Sequence, residues 1–212
     1  MTARLRGLYA ITRPGPDLVA DVAAALRGGA RVVQYRDKSD DAERKLEEAR
    51  QLKALCAAGD ALFVVNDDPL LAQASHADGV HLGRGDRTVA DVRAMLGPRM
   101  LIGVSCYDAL YHAHAAVAAG ADYLAFGSFY PSPTKPDAPR ATLELLRAAR
   151  AEFNLPLCAI GGITPGNAVS VVEAGADLIA AISGVFDADD IEAAARTYTE
   201  VFKRSVRDRR ES

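Results

Sequence analysis

The residues best able to do chemistry in this chain stand where apolar runs give out. At Gln34-Tyr35-Arg36-Asp37-Lys38 such a run ends in three hydrogen-bond donors, two of them cationic. In an extended segment Gln34, Arg36 and Lys38 share one face. That face suits an anion with several oxygens, because Arg grips phosphate bidentately and Lys adds a mobile point charge. The same residues would equally suit a solvated strand end. Two more runs close on Asn66-Asp67-Asp68-Pro69 and on Gly83-Arg84-Gly85-Asp86. Mg2+ commonly takes one or two carboxylates plus the phosphate oxygens of a substrate, and Asp67 with Asp86 meets that need. Either Asp could instead be a helix N-cap, but Asp68 and Thr88 are placed to do the capping, which frees Asp67 and Asp86.

Three later endings extend the pattern. Ser128-Phe129-Tyr130-Pro131-Ser132-Pro133-Thr134-Lys135-Pro136 holds hydroxyls and a lysine between three prolines that stiffen it. It is either a surface loop with an incidental lysine or a rigid holder of Ser132, Pro133, Thr134 and Lys135 over a site. Gly161-Gly162-Ile163-Thr164-Pro165 and Ile182-Ser183-Gly184 supply backbone that an anion can approach closely. Taken together, the endings imply two anion sites: a cationic one with Mg2+, fit for a diphosphate, and a neutral backbone one, fit for a monophosphate. Two phosphorylated substrates at one mouth suggest a transferase that displaces pyrophosphate.

For these endings to meet, the elements between them must be parallel βα units. Strand-like runs fall at Leu8–Ile11, Val32–Tyr35, Leu62–Asn66, Gly79–Leu82, Leu101–Val104, Tyr123–Phe126, Leu157–Ile160 and Leu178–Ile182. Several are apolar throughout, as strands buried on both faces should be. Helical stretches lie near 16–28, 40–58, 68–75, 88–96, 108–119, 140–152, 165–174 and 188–204. Gly120-Ala121-Asp122 and Gly175-Ala176-Asp177 each close a helix and open a strand, and Ala77-Asp78-Gly79 is a weaker copy. An open doubly wound sheet would also gather ligands at strand C-termini. Eight units without an antiparallel signal favour closure, so the expected fold is α/β, a single-domain (β/α)8 TIM barrel over residues 1–212 with a frayed basic tail near 205–212. In such a barrel the loops after strands seven and eight frequently hold a phosphate.

The totals agree. A chain of 212 residues should bury roughly 70% of its unfolded surface, enough for one full core. Net charge is −3 from 25 basic and 28 acidic residues, with no basic excess and no interleaved aromatic series to bind nucleic acid. No apolar stretch has the length of a signal peptide or a membrane span. Cys56, Cys106 and Cys158 are odd in number and far apart, so neither a disulfide framework nor a zinc site is expected, and the expected location is a reducing cytoplasm. Cys106 beside Ser105 reads as packing, His81 as a packed and hydrogen-bonded strand residue, and His112 with His114 as a poor metal pair. Oligomeric state, including a homo-oligomer, stays open.

From Tyr9 to about Tyr198 the chain resembles the thiamine phosphate synthase family. The likeness is carried by Gln34-Tyr35-Arg36-Asp37-Lys38, Asn66-Asp67, Asp78-Gly79-Val80-His81-Leu82-Gly83, Gly103-Val104-Ser105, Pro133-Thr134-Lys135 and Ala159-Ile160-Gly161-Gly162-Ile163. The resemblance implies that Gln34, Tyr35, Arg36, Asp37, Lys38, Asn66, Ser105 and Lys135 bind a pyrimidine diphosphate. It implies that Asp67 and Asp86 bind one Mg2+. It implies that Ser132, Pro133, Thr134, Gly162, Ile182 and Ser183 hold thiazole phosphate. Arg36, Lys38, Lys135 and Ser105 would be the catalytic groups, assisting dissociative loss of pyrophosphate. The chain departs from the family pattern at Arg84-Gly85, where an amide and an acid are usual, at Ser132, where Thr is common, and at Asp68-Pro69. The rival readings are a thiazole tautomerase-like relative, which needs neither the carboxylate pair nor the full cationic segment, and a non-catalytic binder of a thiamine precursor.

Overall fold

In the computed structural model, which describes residues 5–131 and 139–211 with side chains as far as 204, eight parallel strands close into a barrel in sequence order. The strands are β1 (Gly7–Ile11), β2 (Val32–Tyr35), β3 (Leu62–Asn66), β4 (Gly79–Leu82), β5 (Leu101–Tyr107), β6 (Tyr123–Phe126), β7 (Leu157–Ile160) and β8 (Leu178–Ala181). The helices are α1 (Leu18–Arg27), α2 (Ala42–Ala58), α3 (Pro69–Ala74), α4 (Val89–Leu96), α5 (Leu110–Ala118), α6 (Leu143–Glu152), α7 (Pro165–Glu173), α8 (Ser183–Phe186) and α9 (Ile191–Glu211). The (β/α)8 expectation therefore holds. Among the described residues no helix is long and apolar enough to cross a membrane.

Alternation along each strand divides the apolar residues into two cores. Tyr9, Ile11, Val32, Leu62, Val64, Leu101, Tyr123, Ala125, Cys158, Leu178 and Ala180 fill the barrel. The opposite parity, including Leu8, Val33, Phe63, Val65, Ile102, Leu124 and Ile179, packs outward against the helices. Parallel pairing keeps inward positions level, with Gln34 beside Ile11 and Val64, and His81 beside Asn66 and Gly103.

Two boundaries differ from the sequence reading. β5 runs on to Tyr107, past the expected end at Val104, because Cys106 is buried and a register shift between Ser105 and Tyr107 keeps the strand paired with β6. The expected 188–204 helix is α9 alone; a separate four-residue helix, α8, precedes it, and β8 stops at Ala181. The side chains of the expected frayed tail, 205–212, lie outside the described residues.

The Gly-Ala-Asp repeats become a structural device at the barrel foot. Asp78 accepts from the Phe63 backbone N–H at 2.8 Å and from Lys53 of α2 at 2.6 Å. Asp122 accepts from Ile102 N–H at 2.8 Å and from Arg93 of α4 at 2.6 Å. Asp177 accepts from Leu157 N–H at 3.0 Å and from Arg150 of α6 at 2.8 Å. Each carboxylate thus binds a helix, the strand that follows it and the strand after that, at the end of the barrel opposite the candidate site.

Candidate active site

The rim is built from the ends of β2, β3 and β4. Lys38 reaches across to an ion pair with Asp67. Asp67 has φ 62°, in the left-handed region, a conformation that costs on the order of 1 kcal/mol and that Asp tolerates better than most residues. Asp68 then caps α3, its Oδ1 accepting from Leu71 N–H at 3.0 Å, with Pro69 in the first turn. Thr88 caps α4 in the same way, accepting from Asp91 N–H at 3.1 Å. Both caps expected from the sequence are present, and neither Asp67 nor Asp86 is used as one. Asp86 Oδ2 accepts from Gly83 N–H at 2.7 Å.

Asp67 and Asp86 lie close enough for each carboxyl to shift the other. Burial raises the Asp67 carboxyl, but the Lys38 ammonium and the Asp86 hydrogen bond outweigh it and hold Asp67 below its ordinary value. Burial, then the hydrogen bond and charge of Asp67, push Asp86 above its ordinary value. Two carboxyl groups that share one proton are a place where a cation can replace that proton. The donor set, two neighbouring carboxylates on one rim, fits Mg2+.

Beneath the rim, inward side chains form a continuous chain of hydrogen bonds. Gln34 Nε2 donates to Tyr9 Oη at 2.8 Å, and Tyr9 Oη lies 2.8 Å from Tyr123 Oη. Tyr123 Oη lies 3.0 Å from His81 Nδ1, and His81 Nε2 lies 2.9 Å from Ser105 Oγ. Gly103 makes room for it: a Cβ there would stand 1.9 Å from Tyr123 Cζ. Among the described residues no buried side-chain nitrogen or oxygen lacks a partner. His81 is packed and hydrogen-bonded, as the sequence suggested. Tyr9 and Tyr123 were not singled out there, although each puts a phenol into the barrel interior.

Across the barrel, the segment after β6 folds onto the end of β7. Phe129 N–H donates to Ile160 at 3.1 Å and Tyr130 N–H to Gly161 at 2.9 Å. Gly161 and Gly162 have φ of 100° and 61°, and a Cβ would meet Ser128 Oγ at 2.0 Å and the Pro131 carbonyl at 2.3 Å respectively. The diglycine is therefore needed first for this loop to lie down. Asn167 ties the same turn, accepting from Thr164 N–H at 2.8 Å and donating to the Gly162 carbonyl at 3.1 Å. Ile182 and Ser183 begin α8, whose last carbonyl, that of Phe186, is gripped by Arg13 at 2.7 and 3.1 Å.

Gln34, Lys38, Asn66, Asp67, Asp86 and Ser105 thus gather on the mouth side of β2 to β5. Arg36 is anchored there by its backbone N–H, which donates to Thr12 Oγ1 at 3.0 Å. Tyr35 and Asp37 face α2 instead: Tyr35 donates to Glu48 at 2.6 Å and Asp37 pairs with Arg44 at 2.7 Å. Ser132, Pro133, Thr134 and Lys135 lie outside the described residues. Arg84 stacks 4.8 Å over the Tyr107 ring, and its N–H donates to Tyr107 Oη at 2.7 Å. The three cysteines are free and buried. Burial pushes the Cys56 and Cys106 thiols up to about 12 and Cys158 higher still, which excludes them as nucleophiles near neutrality.

Fold and site together define a closed βα-barrel whose strand ends bring Lys38, Asp67 and Asp86 to one rim. A family model described as thiamine monophosphate synthase matches residues 8–185. The thiamine-phosphate synthase of Thioalkalivibrio sulfidiphilus is 53% identical over 204 residues, covering 94% of this chain and 97% of the relative. That of Chromobacterium violaceum is 56% identical over 199 residues, covering 92% and 96%. The solved thiamine phosphate pyrophosphorylase of Pyrococcus furiosus superposes with a TM-score of 0.87 at 36% identity, covering 95% of this chain and 97% of that one. The chain belongs to the thiamine monophosphate synthase family.

Proposed function

We propose that this chain joins 4-amino-2-methyl-5-(diphosphooxymethyl)pyrimidine to thiazole phosphate, giving thiamine phosphate and pyrophosphate. The observation that carries the reading is the meeting of Lys38, Asp67 and Asp86 on one rim, beside Gln34 and Ser105. Arg36 and Lys38, with Lys135, hold the diphosphate and stabilise its growing charge as the C–O bond breaks. Asp67 and Asp86 would hold Mg2+, which when bound would supply further charge neutralisation to the leaving group. The bonding pair departs with pyrophosphate, and the aminopyrimidine is left as a resonance-stabilised methylene cation. The thiazole nitrogen then donates its lone pair to form the C–N bond. No protein nucleophile or proton transfer is required, so the reaction is a transfer of a pyrimidinylmethyl group.

Thiazole phosphate is assigned to Gly162, Ile182 and Ser183 with Ser132, Pro133 and Thr134, which keeps the acceptor close to the cation and water away from it. Tyr35 and Asp37 serve the pyrimidine site from behind, fixing β2 against α2. Buried free thiols suit a reducing cytoplasm.

The test is turnover with both substrates and Mg2+, following thiamine phosphate and pyrophosphate together. Equal formation of the two, lost with chelator and in the Asp67→Ala/Asp86→Ala double variant, is the expected result. Full activity in that variant would sink the metal assignment. Pyrophosphate alone would mean a different acceptor, and no product from folded protein would favour a tautomerase or a binder.

A further inference from the structure

Ala195, Tyr198, Val201 and Phe202 recur at three- and four-residue spacing and are buried, so α9 lays one apolar face against the barrel. Of these four only Tyr198 carries a polar group, and it is wholly buried. Its hydroxyl donates to the Ile163 carbonyl at 2.9 Å. Burial pushes that hydroxyl up to about 12, so it stays a donor near neutrality. It also lies against Gly184: a Cβ there would stand 2.1 Å from Tyr198 Oη and 3.7 Å from the Ile163 carbonyl oxygen. One hydroxyl thus fills the space between the turn after β7 and the first turn of α8. The strand ladder does not set that space, because β7 pairs with β8 only as far as Ile160 with Ala180. Each turn is also tied elsewhere: Asn167 holds the Gly162 carbonyl at 3.1 Å, while Arg13 grips the Phe186 carbonyl and pairs with Asp187 at 3.0 Å. Tyr198 spans the two. The residues it touches, Ile163 and Gly184, directly follow Gly162 and Ser183.

We propose that Tyr198 is a positioning residue for the acceptor: it fixes the gap between Gly162 and Ser183, and through that gap the preference for a phosphorylated thiazole over the same thiazole without its phosphate. Because Tyr198 is wholly buried, it acts through the two turns and not on the ligand. Removing the hydroxyl takes the Tyr198 donor from the Ile163 carbonyl and leaves a void beside Gly184, into which either turn can relax. Adding a methyl at Gly184 drives the hydroxyl out from the other side. The proposal rests on the assignment of thiazole phosphate to Gly162, Ile182 and Ser183, and goes beyond it by placing the discrimination in the last helix of the chain.

The experiment compares wild type with Tyr198→Phe in turnover of thiazole phosphate and of the unphosphorylated thiazole alcohol, each with saturating pyrimidine diphosphate. The variant should raise the KM for thiazole phosphate ~10–100-fold, while kcat and the KM for the pyrimidine diphosphate stay as in wild type. The preference for the phosphorylated acceptor should fall by the same factor. An unchanged KM for thiazole phosphate would overturn the proposal. So would equal losses with the two acceptors, since a purely structural tyrosine would weaken both alike. Should Tyr198→Phe fail to fold, Gly184→Ala decides by the same two criteria. Should both fail, 13C NMR of the Tyr198 ring in wild-type protein decides: its Cζ resonance should move with thiazole phosphate and not with the alcohol, and an unmoved resonance would overturn the proposal. If wild-type protein released no pyrophosphate with either acceptor, the synthase reading would fall. Calorimetric titration of thiazole phosphate into wild type and Tyr198→Phe would then decide the spacing role: ~10-fold weaker binding to the variant supports it, and equal affinity, or no binding to wild type, overturns it.

Discussion

Replacing Asp86 with Asn should stabilise the metal-free protein while abolishing its response to Mg2+. Two unit charges about 4 Å apart in an effective dielectric near 20 repel by about 4 kcal/mol. Lys38 sits on the same pair and Asp67 is 25% exposed, so solvent and the ammonium reduce the net repulsion to about 1 kcal/mol. Asn keeps an oxygen for the Gly83 N–H. At pH 8 the metal-free variant should therefore melt about 2–4 °C above wild type for a chain of this size. Free Mg2+ at about ten times its dissociation constant stabilises wild type by about 1.4 kcal/mol, or about 3–6 °C. The pH dependence has a definite sign. Asp86 is raised in the folded protein, so its contribution to stability is full below its unfolded value and lost as pH rises through the folded one. Asp67 is lowered, so its contribution is present above the unfolded value and lost as pH falls through the folded one. The Mg2+-induced rise in Tm should accordingly grow with pH as the shared proton leaves. Differential scanning fluorimetry across pH, with and without Mg2+, measures all of this. A variant that keeps the wild-type Mg2+ shift, or a shift that shrinks as pH rises, would refute the shared-cation argument.

Three further outcomes follow from packing. Asp177→Ala orphans the Leu157 N–H and unpairs Arg150, which keeps the Phe153 and Leu155 carbonyls; the expected loss is about 2–4 kcal/mol in urea unfolding, and Asp177→Asn should lose less because it still accepts from Leu157. Gly161→Ala strains a φ of 100° and drives a Cβ onto Ser128; turnover should fall on the order of tenfold or more through misplacement of the loop, and unchanged kinetics would mean that the loop does not position the acceptor. Cys56, Cys106 and Cys158 should resist dithionitrobenzoate at pH 8 in the native protein and react once it is denatured; rapid native labelling would contradict their burial.

Strand positions and barrel closure were legible because parallel strands buried on both faces are short apolar runs, and the Gly-Ala-Asp repeats mark where a helix hands over to a strand. Asp68 and Thr88 were legible as caps because capping is a local interaction within a few residues. β5 beyond Val104 was not, since Ser105 and Tyr107 look like a strand end until the burial of Cys106 is known. α8 was too short to show periodicity. Gln34 stood out at a strand end and Ser105 only through the resemblance, whereas the link between Tyr9 and Tyr123 was hidden: 114 positions separate their hydroxyls, and a tyrosine within an apolar run reads as core. The outward turn of Tyr35 and Asp37 follows from strand alternation, yet it needed Arg44 and Glu48 on α2 to become visible.

The feet of the barrel have a consequence for how this chain can change. Asp78, Asp122 and Asp177 moor β3 with β4, β5 with β6 and β7 with β8 separately, each through its own cation. A mouth loop can then vary in length or composition, as at Arg84-Gly85, without shifting the register of strands pinned at the far end. Among the described residues β1 with β2 has no such mooring. Before β2 stands Arg31, paired with Asp60, and the neighbouring turn is held instead by α9, where Thr199 donates to the Gly28 carbonyl at 3.0 Å. The last helix of the chain thus serves as the fourth pile, and shortening it to before Thr199 would loosen the strand pair that carries Tyr9 and Gln34.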